Sequence, residues 1–502
     1  MSFKNRLMSK IPASYILHKS SNKTEAKLIV KGYNAIRKNN LFDDEFYLNK
    51  YPKVKASGMD PLLHYIFFGF NEGKKPNKDF DGVFYKYHYD DVEINPLIHY
   101  ALYGIDENRQ IKVANEDLAN FNDLNKTNIL FVLHEKIGTI GGTGFTNLDI
   151  INSLDKRFGA FILTSDGEDV ELWKFTSSLE KIANFNCHPK KYEFLDNMLA
   201  GIYEEILSKL DIKIIHINHL INHTFDLAEI ANKKRIPYIV SIHDFYYICP
   251  SIHLINENYS YCEFKCKTCK FETILKDWQK YGFKLLENAY LNIVPSDSVI
   301  EIYKSVYPDL NNFKLIEHGR DIEKSNIGPE LSKNPIKIAI PGHISQHKGS
   351  LLIKKIKNLD KDNALELHFM GTAIPNLNKY GINHGRYKRG DFNKVIAEIK
   401  PSFIAILSTC PETFSHTLTE SWKSGIPVIA TNLGALKERV NRTGGGWLVD
   451  YKNPQKIYDK ILSIDETDYL EKVENISKIN FKSLKEMTDE YNNIYGEMAD
   501  EL

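Results

Sequence analysis

Two successive sets of short, unbroken apolar segments constrain the fold of this chain more than any other feature of its sequence. The first set includes NILFVLH at residues 128–134, FGAFILTS at 158–165 and IPYIVSIHD at 236–244, with helical patterns between them. Continuously apolar strands that alternate with helices are typical of parallel sheets buried on both faces. The pattern therefore predicts a doubly wound, Rossmann-like α/β domain over residues 127–318.

The same pattern starts again after a polar segment, residues 319–335, that is typical of a linker. IKIAIPGH at 336–343 and FIAILST at 403–409 are strands of the second set. We therefore predict a second Rossmann-like domain over 335–480, followed by a C-terminal helix over 481–502. Ligands of such sheets bind outside the carboxyl ends of the strands, so a cleft between the two facing domains is the expected site.

Composition and charge exclude several classes of protein. A chain of 502 residues is too long for one core, and 42 % apolar with 12 % aromatic residues is too apolar for a disordered chain. Lys plus Arg and Asp plus Glu number 65 each, so no net charge favours a nucleic-acid partner. No apolar run approaches the roughly 20 residues that span a bilayer, and no signal peptide precedes the first lysines. These features predict a cytoplasmic protein of several domains.

The first 40 residues form a basic segment in which apolar side chains recur at helical spacing. Up to position 31 the sequence has one acidic residue, Glu25, whereas the cations are Lys4, Arg6, Lys10, Lys19, Lys23, Lys27 and Lys31. A basic amphipathic helix can lie on an anionic surface, which would give the protein a peripheral contact with the inner face of the membrane. A solvated terminal helix or tail is the alternative interpretation.

A sequence repeat follows, over residues 41–111. PLLHY at 61–65 is echoed by PLIHY at 96–100, an offset of 35 residues, and Gly69 and Gly104 occupy equivalent positions. After each proline the apolar residues recur at helical spacing, and each glycine stands where a helix would end. The segment predicts two small helical units that serve packing or recruitment.

The segment CPETFSHTLTESWKSG, residues 410–425, concentrates polar groups in the second domain. FIAILST would be the strand, CPETFSH the loop and TLTESWK a helix, whose start near Thr417 offers N–H groups and partial positive charge to a phosphate. Glu412 in the loop could reach ligand hydroxyls, and Glu420 could accept two hydrogen bonds from a ribose diol. The alternative is that Thr417 and Glu420 form a capping box without a ligand.

Three neighbouring segments strengthen the ligand interpretation. After the strand at 336–340 come Gly342 and Lys348, and a lysine in that position can meet phosphate as a point charge. Gly434 follows the strand PVIAT and would either let the backbone approach a ligand closely or only serve the turn. The loop 385–389 would lie between a short strand and a helix, where a flat base could rest.

These motifs, in this order, resemble those of glycosyltransferases with the GT-B fold, specifically the large retaining family 4 with its E-x7-E signature. Here the signature is ETFSHTLTE, from Glu412 to Glu420, and the family's Gly-x-Pro-Val pattern follows it. The resemblance covers roughly residues 127–502. SIHDFYYICPS at 241–251 is similar to a segment of bacterial enzymes that build surface polysaccharides, and helical repeats like those described above are similar to ones attached to such enzymes.

The resemblance implies a role for each matching residue. Glu412, Lys348 and His243 would act at the reacting centre, Glu412 on the sugar hydroxyls and Lys348 on the departing diphosphate. The implied donor-binding residues are Glu420, which would hold the ribose, and Gly342, Phe414, Ser415, His416, Thr417, Leu418, Arg320, Gly141, Gly142 and Thr143. Such enzymes usually retain the anomeric configuration and need no catalytic metal. A nucleotide sugar is therefore the expected donor, and a glycan or lipid-linked saccharide the expected acceptor.

One departure from the family pattern concerns the diphosphate. The family usually has an arginine shortly before the lysine, whereas this chain has GHISQHK at 342–348. His343 or His347 could replace the arginine, or Arg320 could reach in from the linker. If none does, stabilisation of the diphosphate would be weaker, which favours the alternative of a catalytically weak GT-B scaffold. A nucleotide-sugar epimerase is a separate alternative within the enzymes, and it would turn over donor without any acceptor.

Cysteines cluster in one insertion of the first domain, residues 249–270. They are Cys249, Cys262, Cys266 and Cys269. They could supply four thiolates to a structural zinc ion, with His253 as a spare ligand. Their spacing is not that of paired zinc knuckles, so small buried side chains are the alternative. The insertion would in either case shape the acceptor side near His243.

Overall fold

The computed structural model describes residues 23–502 except for a few short stretches. Outside the described part lie residues 1–22, 90, 113–116, 124, 138–141, 168, 186, 188–191, 324–327 and 389. The described residues divide into two compact units, one made of 23–122 with 171–186 and the other of 123–170 with 187–502. Most of the basic segment predicted to contact a membrane therefore lies outside the described residues.

The elements are numbered in chain order. The strands are β1 (Thr127–Leu133), β2 (Phe158–Ser165), β3 (Val170–Phe175), β4 (Leu179–Phe185), β5 (Ile212–Ile217), β6 (Tyr238–Ser241), β7 (Leu291–Val294), β8 (Phe313–Leu315), β9 (Ile336–Ile344), β10 (Leu365–Ala373), β11 (Ile382–Asn383), β12 (Phe403–Ile406), β13 (Val428–Thr431) and β14 (Gly446–Val449). The helices are α1 (Lys23–Lys38), α2 (Asp44–Lys50), α3 (Pro52–Ser57), α4 (Pro61–His64), α5 (Gly82–His88), α6 (Pro96–His99), α7 (Gly142–Asn152), α8 (Asn197–Lys209), α9 (Asp226–Lys234), α10 (Glu272–Glu287), α11 (Asp297–Val306), α12 (Ser350–Leu359), α13 (Phe392–Ile399), α14 (His416–Lys423), α15 (Gly434–Thr443), α16 (Pro454–Ser463), α17 (Glu466–Ser477) and α18 (Leu484–Asp500).

The first unit is helical at its amino-terminal end and also contains β3, from residue 171, and β4. Helices α4 and α6 each begin at a proline, are capped by the preceding side chain and continue into a π-helical turn. Proline is favoured at the first helical position because its missing N–H would have no partner there. The PLLHY and PLIHY segments of the sequence thus fold into the same local structure.

A tyrosine–histidine hydrogen bond accompanies each of these two helices. Tyr47 Oη lies 3.0 Å from Nδ1 of His64, and Tyr85 Oη lies 3.1 Å from Nδ1 of His99. Both tyrosines are fully buried and belong to one apolar cluster. Each histidine therefore satisfies a buried hydroxyl within the core of the unit.

The first α/β domain of the second unit has its strands in the order β2-β1-β5-β6-β7-β8, with parallel neighbours throughout. β2 is buried along its whole length, as expected for a parallel strand covered on both faces. The chain turns to opposite sides of β1 when it enters β2 and β5. The loops after β1 and β5 therefore separate and open a crevice at the carboxyl end of the sheet.

The second α/β domain repeats this arrangement with the order β11-β10-β9-β12-β13-β14, again with parallel neighbours. Apolar clusters cover the sheet, one including Ile338 and Trp447 and the other including Leu418 and Trp422. The strand order reverses between β9 and β12. The loops that follow these two strands, which carry Lys348 and Glu412, therefore lie at the switch point where such sheets bind ligands.

The C-terminal helix α18 returns to the first α/β domain. Tyr495 Oη lies 2.7 Å from Nδ1 of the buried His216, and the Asn492 amide donates to the Ser153 carbonyl at 2.8 Å. Gly319, in the linker, lies against the start of this helix, where a Cβ would come within 1.9 Å of the Ser483 carbonyl oxygen. Only glycine fits there, and this close approach fixes the backbone that presents the next residue, Arg320.

Two parallel-sheet α/β domains preceded by a helical region agree with the architecture expected from the sequence. The predicted boundaries at 127–318 and 335–480 fall within the second unit, whereas residues 171–186 group with the first. Within the described residues, no helix has the length and apolar character needed to cross a membrane.

Candidate functional site

The turn that precedes α14 has an uncommon backbone conformation. The helix begins at His416, one residue before the predicted start, and its N-cap Ser415 has φ 69° and ψ 90°. A non-glycine residue in this region is strained and needs support from its surroundings. Ser415 makes no side-chain cap, and Thr417 and Glu420 do not form the capping box that was the alternative interpretation. The start of α14 therefore has no side-chain cap from Ser415, and helix starts are places where anions bind.

Arg439, on α15, supports this strained turn. Its Nη1 donates to the carbonyls of Phe414 and Ser415 at 2.9 and 3.1 Å, and its Nη2 donates to Thr419 Oγ1 at 2.9 Å. The guanidinium carbon also lies 4.0 Å from the centroid of the Phe414 ring. Burial lowers the pKa of Arg439 to about 10, so the side chain is still a cation at neutral pH. The buried Arg439 guanidinium therefore holds the residues on both sides of the turn.

Arg439→Met should lower the free energy of unfolding by about 2–4 kcal/mol, because two carbonyls and a hydroxyl lose a buried donor. Arg442→Met is the matched control on the same helix. Arg442 is 47 % exposed and pairs with Glu317, so its loss should cost less than about 1 kcal/mol. Urea denaturation followed by circular dichroism measures both variants, and equal effects of the two substitutions would contradict this role of Arg439.

Glu412 and Lys348 form an ion pair across the switch point. Glu412 Oε1 lies 2.9 Å from Lys348 Nζ and also accepts a hydrogen bond from Ser408 Oγ. Burial by itself raises the pKa of Glu412, but Lys348 and Ser408 outweigh burial and hold that pKa below its ordinary value. Burial lowers the pKa of Lys348, but the Glu412 carboxylate outweighs it and holds the pKa of the ammonium above its ordinary value. Both groups are therefore charged at neutral pH.

Gly434 fixes the loop that carries Glu412. Its φ is +50°, and an added Cβ would lie 2.7 Å from the Glu412 carbonyl oxygen and 2.9 Å from the Glu412 nitrogen. The Ala435 N–H donates to the same carbonyl at 2.8 Å. The structure therefore shows Gly434 in close contact with the backbone of Glu412, and a larger residue would not fit between them.

Glu420 is paired with the arginine of the linker. Arg320 Nη1 donates to Glu420 Oε1 at 2.8 Å, and the two side chains are 9 % and 8 % exposed. Lys423, one turn further along α14, donates to the carbonyls of Arg320 and Ile322 at 2.7 and 3.2 Å. Helix α14 thus holds the linker segment that contains Arg320. Each of the two glutamates of the E-x7-E signature is paired with one cation.

The predicted base-binding loop lies beside this second pair. Residues 385–388 follow β11 and precede α13, while Arg389 lies outside the described residues. Burial raises the pKa of Tyr387 above its ordinary value, and the charges of Glu420 and Arg320 act on the same phenol. The Tyr387 ring packs at 5.7 Å from the Phe392 ring. An aromatic ring therefore stands near the carboxylate expected to bind ribose.

The first α/β domain contributes His243 to the crevice. Its Nε2 lies 3.3 Å from Asn218 Oδ1, and its carbonyl accepts a 2.8 Å hydrogen bond from Thr413 Oγ1, the residue after Glu412. Burial lowers the pKa of His243 to about 3, with a contribution from His318. His243 is therefore neutral at neutral pH and lies close to the Glu412 loop.

His318 is a residue that the sequence interpretation missed. Its ring stacks on His243 at 6.0 Å and on His416 at 5.0 Å, so it connects the first domain with the start of α14. Its Nδ1 is buried and makes no hydrogen bond to the described part of the chain. Burial lowers the pKa of His318 well below its ordinary value, aided by His416 and Arg439. A neutral imidazole with an unsatisfied nitrogen thus faces the helix start.

The two histidines proposed as substitutes for the missing arginine differ in position. His343 is exposed, and its Nδ1 lies 2.7 Å from Thr372 Oγ1. His347 stacks on His253 at 4.3 Å, and burial lowers the pKa of His347 to about 4. His347 is therefore neutral at neutral pH and cannot supply the charge of an arginine. Arg320, which pairs with Glu420, is the candidate that carries a permanent charge.

Other predicted site residues take the following positions. Gly342, near the end of β9, has φ +99° and open space where a Cβ would point. Phe414, in the turn, and Leu418, in α14, are buried. Gly142 and Thr143 begin α7 after the first strand, and Gly141 lies outside the described residues.

The predicted zinc site is not formed. Among the described residues, no group of three or more His, Cys, Asp or Glu side chains is arranged to hold a metal ion, and the thiols of the insertion are free. Cys249 is buried, where its Sγ accepts the Ser251 N–H at 3.3 Å, and burial raises the pKa of the Cys249 thiol to about 12. The single C-x2-C pair lies on a 3-10 turn, Cys266–Thr268, rather than in a knuckle. Of the four cysteines of the insertion, Cys249 is a small buried side chain, as in the alternative interpretation, whereas the other three are half-buried.

The region that carries both pairs matches a known family. Residues 336–466, from β9 to the first residue of α17, match the family described as Glycosyl transferases group 1. This range includes Lys348, Glu412 and Glu420. The chain is also similar to part of an Escherichia coli strain K12 protein described as the colanic acid biosynthesis glycosyl transferase WcaC. That match is 26 % identical over 162 residues, which covers 30 % of this chain and only 38 % of WcaC.

Solved structures share the fold over the two α/β domains. HepE (Alr3699) of Anabaena, in complex with UDP, aligns with a TM-score of 0.51 at 16 % identity, over 75 % of this chain and 100 % of that chain. Sucrose-phosphate synthase of Thermosynechococcus elongatus aligns with the same score at 13 % identity and the same coverage. The predicted fold class, GT-B with a helical region at the amino-terminal end of the chain, is confirmed.

Proposed function

We propose that the protein transfers a sugar from a nucleotide-sugar donor to a saccharide acceptor during synthesis of a bacterial surface polysaccharide. The observation that carries the proposal is the pairing of each E-x7-E glutamate with one cation at the switch point. Lys348 holds Glu412 at 2.9 Å, and Arg320 holds Glu420 at 2.8 Å. Carboxylates for hydroxyl groups and cations for phosphate are what a sugar diphosphate requires.

The donor would lie with its diphosphate over the first turn of α14. Glu420, beside the Tyr387 ring, would accept hydrogen bonds from the ribose, and the base would rest near residues 385–388. Glu412 would accept hydrogen bonds from the sugar hydroxyls. The UDP found with HepE, which has the same fold, supports a nucleoside diphosphate as the leaving group.

The transfer step moves charge toward the diphosphate. The acceptor oxygen bonds to the anomeric carbon while the bond from that carbon to the diphosphate oxygen breaks. The electron pair leaves with the diphosphate, which also takes up the acceptor proton. Lys348 and the start of α14 would face the growing negative charge, and preorganised groups of this kind usually supply the largest catalytic contribution. The neutral His318 would add a donor through its unsatisfied Nδ1.

Finer features of the proposal rest on other observations. Retention of configuration is what the resemblance to E-x7-E enzymes implies. The role in polysaccharide synthesis is supported by the description of WcaC. A lipid-linked acceptor would suit a peripheral contact of the basic amino-terminal segment with the membrane.

Thermal shift with a panel of nucleotide sugars and nucleoside diphosphates tests the donor site. A ligand at 100 times its Kd should stabilise the protein by about 2.7 kcal/mol. We expect one base to raise Tm, with the shift lost in Glu420→Gln and kept in Glu398→Gln, a control at an exposed glutamate of α13. No shift with any nucleotide, or an equal shift in both variants, would reject the proposed donor site. Turnover of donor without any acceptor would instead favour an epimerase.

A further inference from the structure

A cavity of about 740 Å³ lies in the first α/β domain. Its walls come from the loop after β5, including Ile221 and Asn222, from the cysteine-containing segment, and from the start of α10, including Phe271 and Leu275. The volume falls within the range of roughly 300–1,000 Å³ that is typical of small-molecule sites. None of the roles assigned above to the donor uses this space.

Two residues of the cavity wall also contact the donor domain. His253 lines the cavity, and its ring stacks on His347 with centroids 4.3 Å apart. Tyr259 lines the cavity, and its carbonyl accepts a hydrogen bond from Thr409 Oγ1. His347 directly precedes Lys348, and Thr409 lies three residues before Glu412. One end of the cavity therefore adjoins the Lys348–Glu412 pair.

The cavity lining combines apolar surface with neutral polar groups. Its aliphatic and aromatic side chains include Ile248, Leu254, Phe264 and Phe271, and its neutral polar ones include Asn222, Ser251 and Gln279. Among its charged residues, Glu257, Lys265 and Lys270 are exposed and Glu193 is half-buried. Sugar rings present apolar C–H faces and hydroxyl edges, and such a lining offers partners to both.

We propose that this cavity binds the saccharide acceptor, with the attacking hydroxyl at the end marked by His253. The inference rests on the proposed function, because it names the second substrate of the same reaction. The cysteine-containing insertion gains a role as a wall of the acceptor site. The saccharide could be free or carried on a lipid, and both sources present the same sugar rings to the cavity.

Leu275→Trp tests the cavity by filling it. We expect the KM for the acceptor to rise by about 10-fold or more, while the donor KM and the slow hydrolysis of donor without acceptor stay unchanged. Lys276→Trp, at the next and exposed position of α10, adds the same ring outside the cavity and should behave as wild type. His253→Phe keeps the stack on His347 but removes the ring nitrogens, and it should also raise the acceptor KM alone.

Acceptor probes are the n-octyl and methyl glycosides of glucose, galactose, mannose and N-acetylglucosamine. If the protein transfers sugar to octyl but not to methyl glycosides, the natural acceptor is a lipid-linked saccharide. Equal transfer to both would assign a free saccharide as the acceptor. Alkylation of Cys262 by iodoacetamide gives an independent binding readout, since Cys262 lines the cavity. Burial raises the pKa of the Cys262 thiol, so the reaction is followed at a pH above the ordinary thiol range. Binding should slow its alkylation without affecting that of the buried Cys187, which does not line the cavity.

The proposal is overturned if Leu275→Trp is folded and has the wild-type acceptor KM, or if no glycoside is either used or protective while donor hydrolysis continues. Failure of the wild-type protein to bind any nucleotide sugar is a separate result. It would reject the proposed function itself, and not the assignment of the cavity.

Discussion

Glu412→Gln is expected to lower the rate of sugar transfer by about 100- to 1,000-fold, the usual effect of removing one preorganised electrostatic group from an active site. The amide can still accept the hydrogen bond from Ser408, but it no longer balances the Lys348 ammonium. Lys348 is 39 % exposed and can be solvated, so the change in Tm should stay within about 3 °C. Steady-state kinetics at saturating donor, together with differential scanning fluorimetry, measures both effects.

The dependence of activity on pH gives an independent check on the same pair. The pKa of Glu412 is held below its ordinary value, so its carboxylate persists as pH falls through the range where exposed glutamates protonate. Wild-type activity that depends on this charge should be lost only below that range. Glu398→Gln should leave both the rate and the pH profile unchanged, because Glu398 is exposed on α13. A Glu412→Gln variant that keeps the wild-type rate would remove Glu412 from the mechanism.

The sequence predicted the elements that have simple local causes. Unbroken apolar runs identified β1, β2, β9 and β12, because a parallel strand covered on both faces has no polar side to show. The E-x7-E spacing located the loop after β12 and the helix that follows it, within one residue of its start. These features depend on short stretches of chain, which is why the pattern alone was sufficient to predict them.

The partners of the site residues could not be predicted in the same way. Arg320 pairs with Glu420 across 100 residues of sequence, and Lys348 pairs with Glu412 across 64, so only the fold brings them together. Arg439 did leave a trace in the sequence. It shares a helix face with the buried Ala435, Leu436 and Val440, and a cation on an apolar face indicates a buried polar partner.

Strands β3 and β4 were missed for a related reason. Both carry charged residues that become buried: Glu171 in β3 and Lys181 in β4. A charge within a short apolar segment indicates solvent exposure when the segment is considered alone. Here the charges are buried because they neutralise one another, which is a property of the tertiary structure and not of either segment.

Lys181→Met is expected to destabilise the first unit by about 3–5 kcal/mol, the typical cost of removing one partner from a buried ionic cluster. Lys181 Nζ lies 2.6 Å from Asp81 Oδ2 and 2.7 Å from Glu171 Oε1, and the three side chains are 1 %, 9 % and 3 % exposed. Without the ammonium, two buried carboxylates lose the counter-ion that they share. Hydrogen exchange of peptides from residues 171–186, followed by mass spectrometry, measures the local opening of this unit.

The sign of the pH dependence separates this explanation from simple loss of packing. In the wild type, burial raises the pKa of Asp81 but Lys181 outweighs it and holds that pKa below its ordinary value, so the cluster stabilises the unit at neutral pH and weakens only as pH falls. In Lys181→Met the two carboxylates repel each other, the folded-state pKa of Asp81 rises because its cation is gone, and acid should relieve the repulsion. The stability deficit of the variant should therefore shrink between neutral and mildly acidic pH.

Lys112→Met is the control, because it removes an ion pair with Asp79 whose side chains are 61 % and 68 % exposed. The stability of this variant should change little at any pH. A deficit in Lys181→Met that is independent of pH would mean that Lys181 acts through its aliphatic stem rather than through its charge.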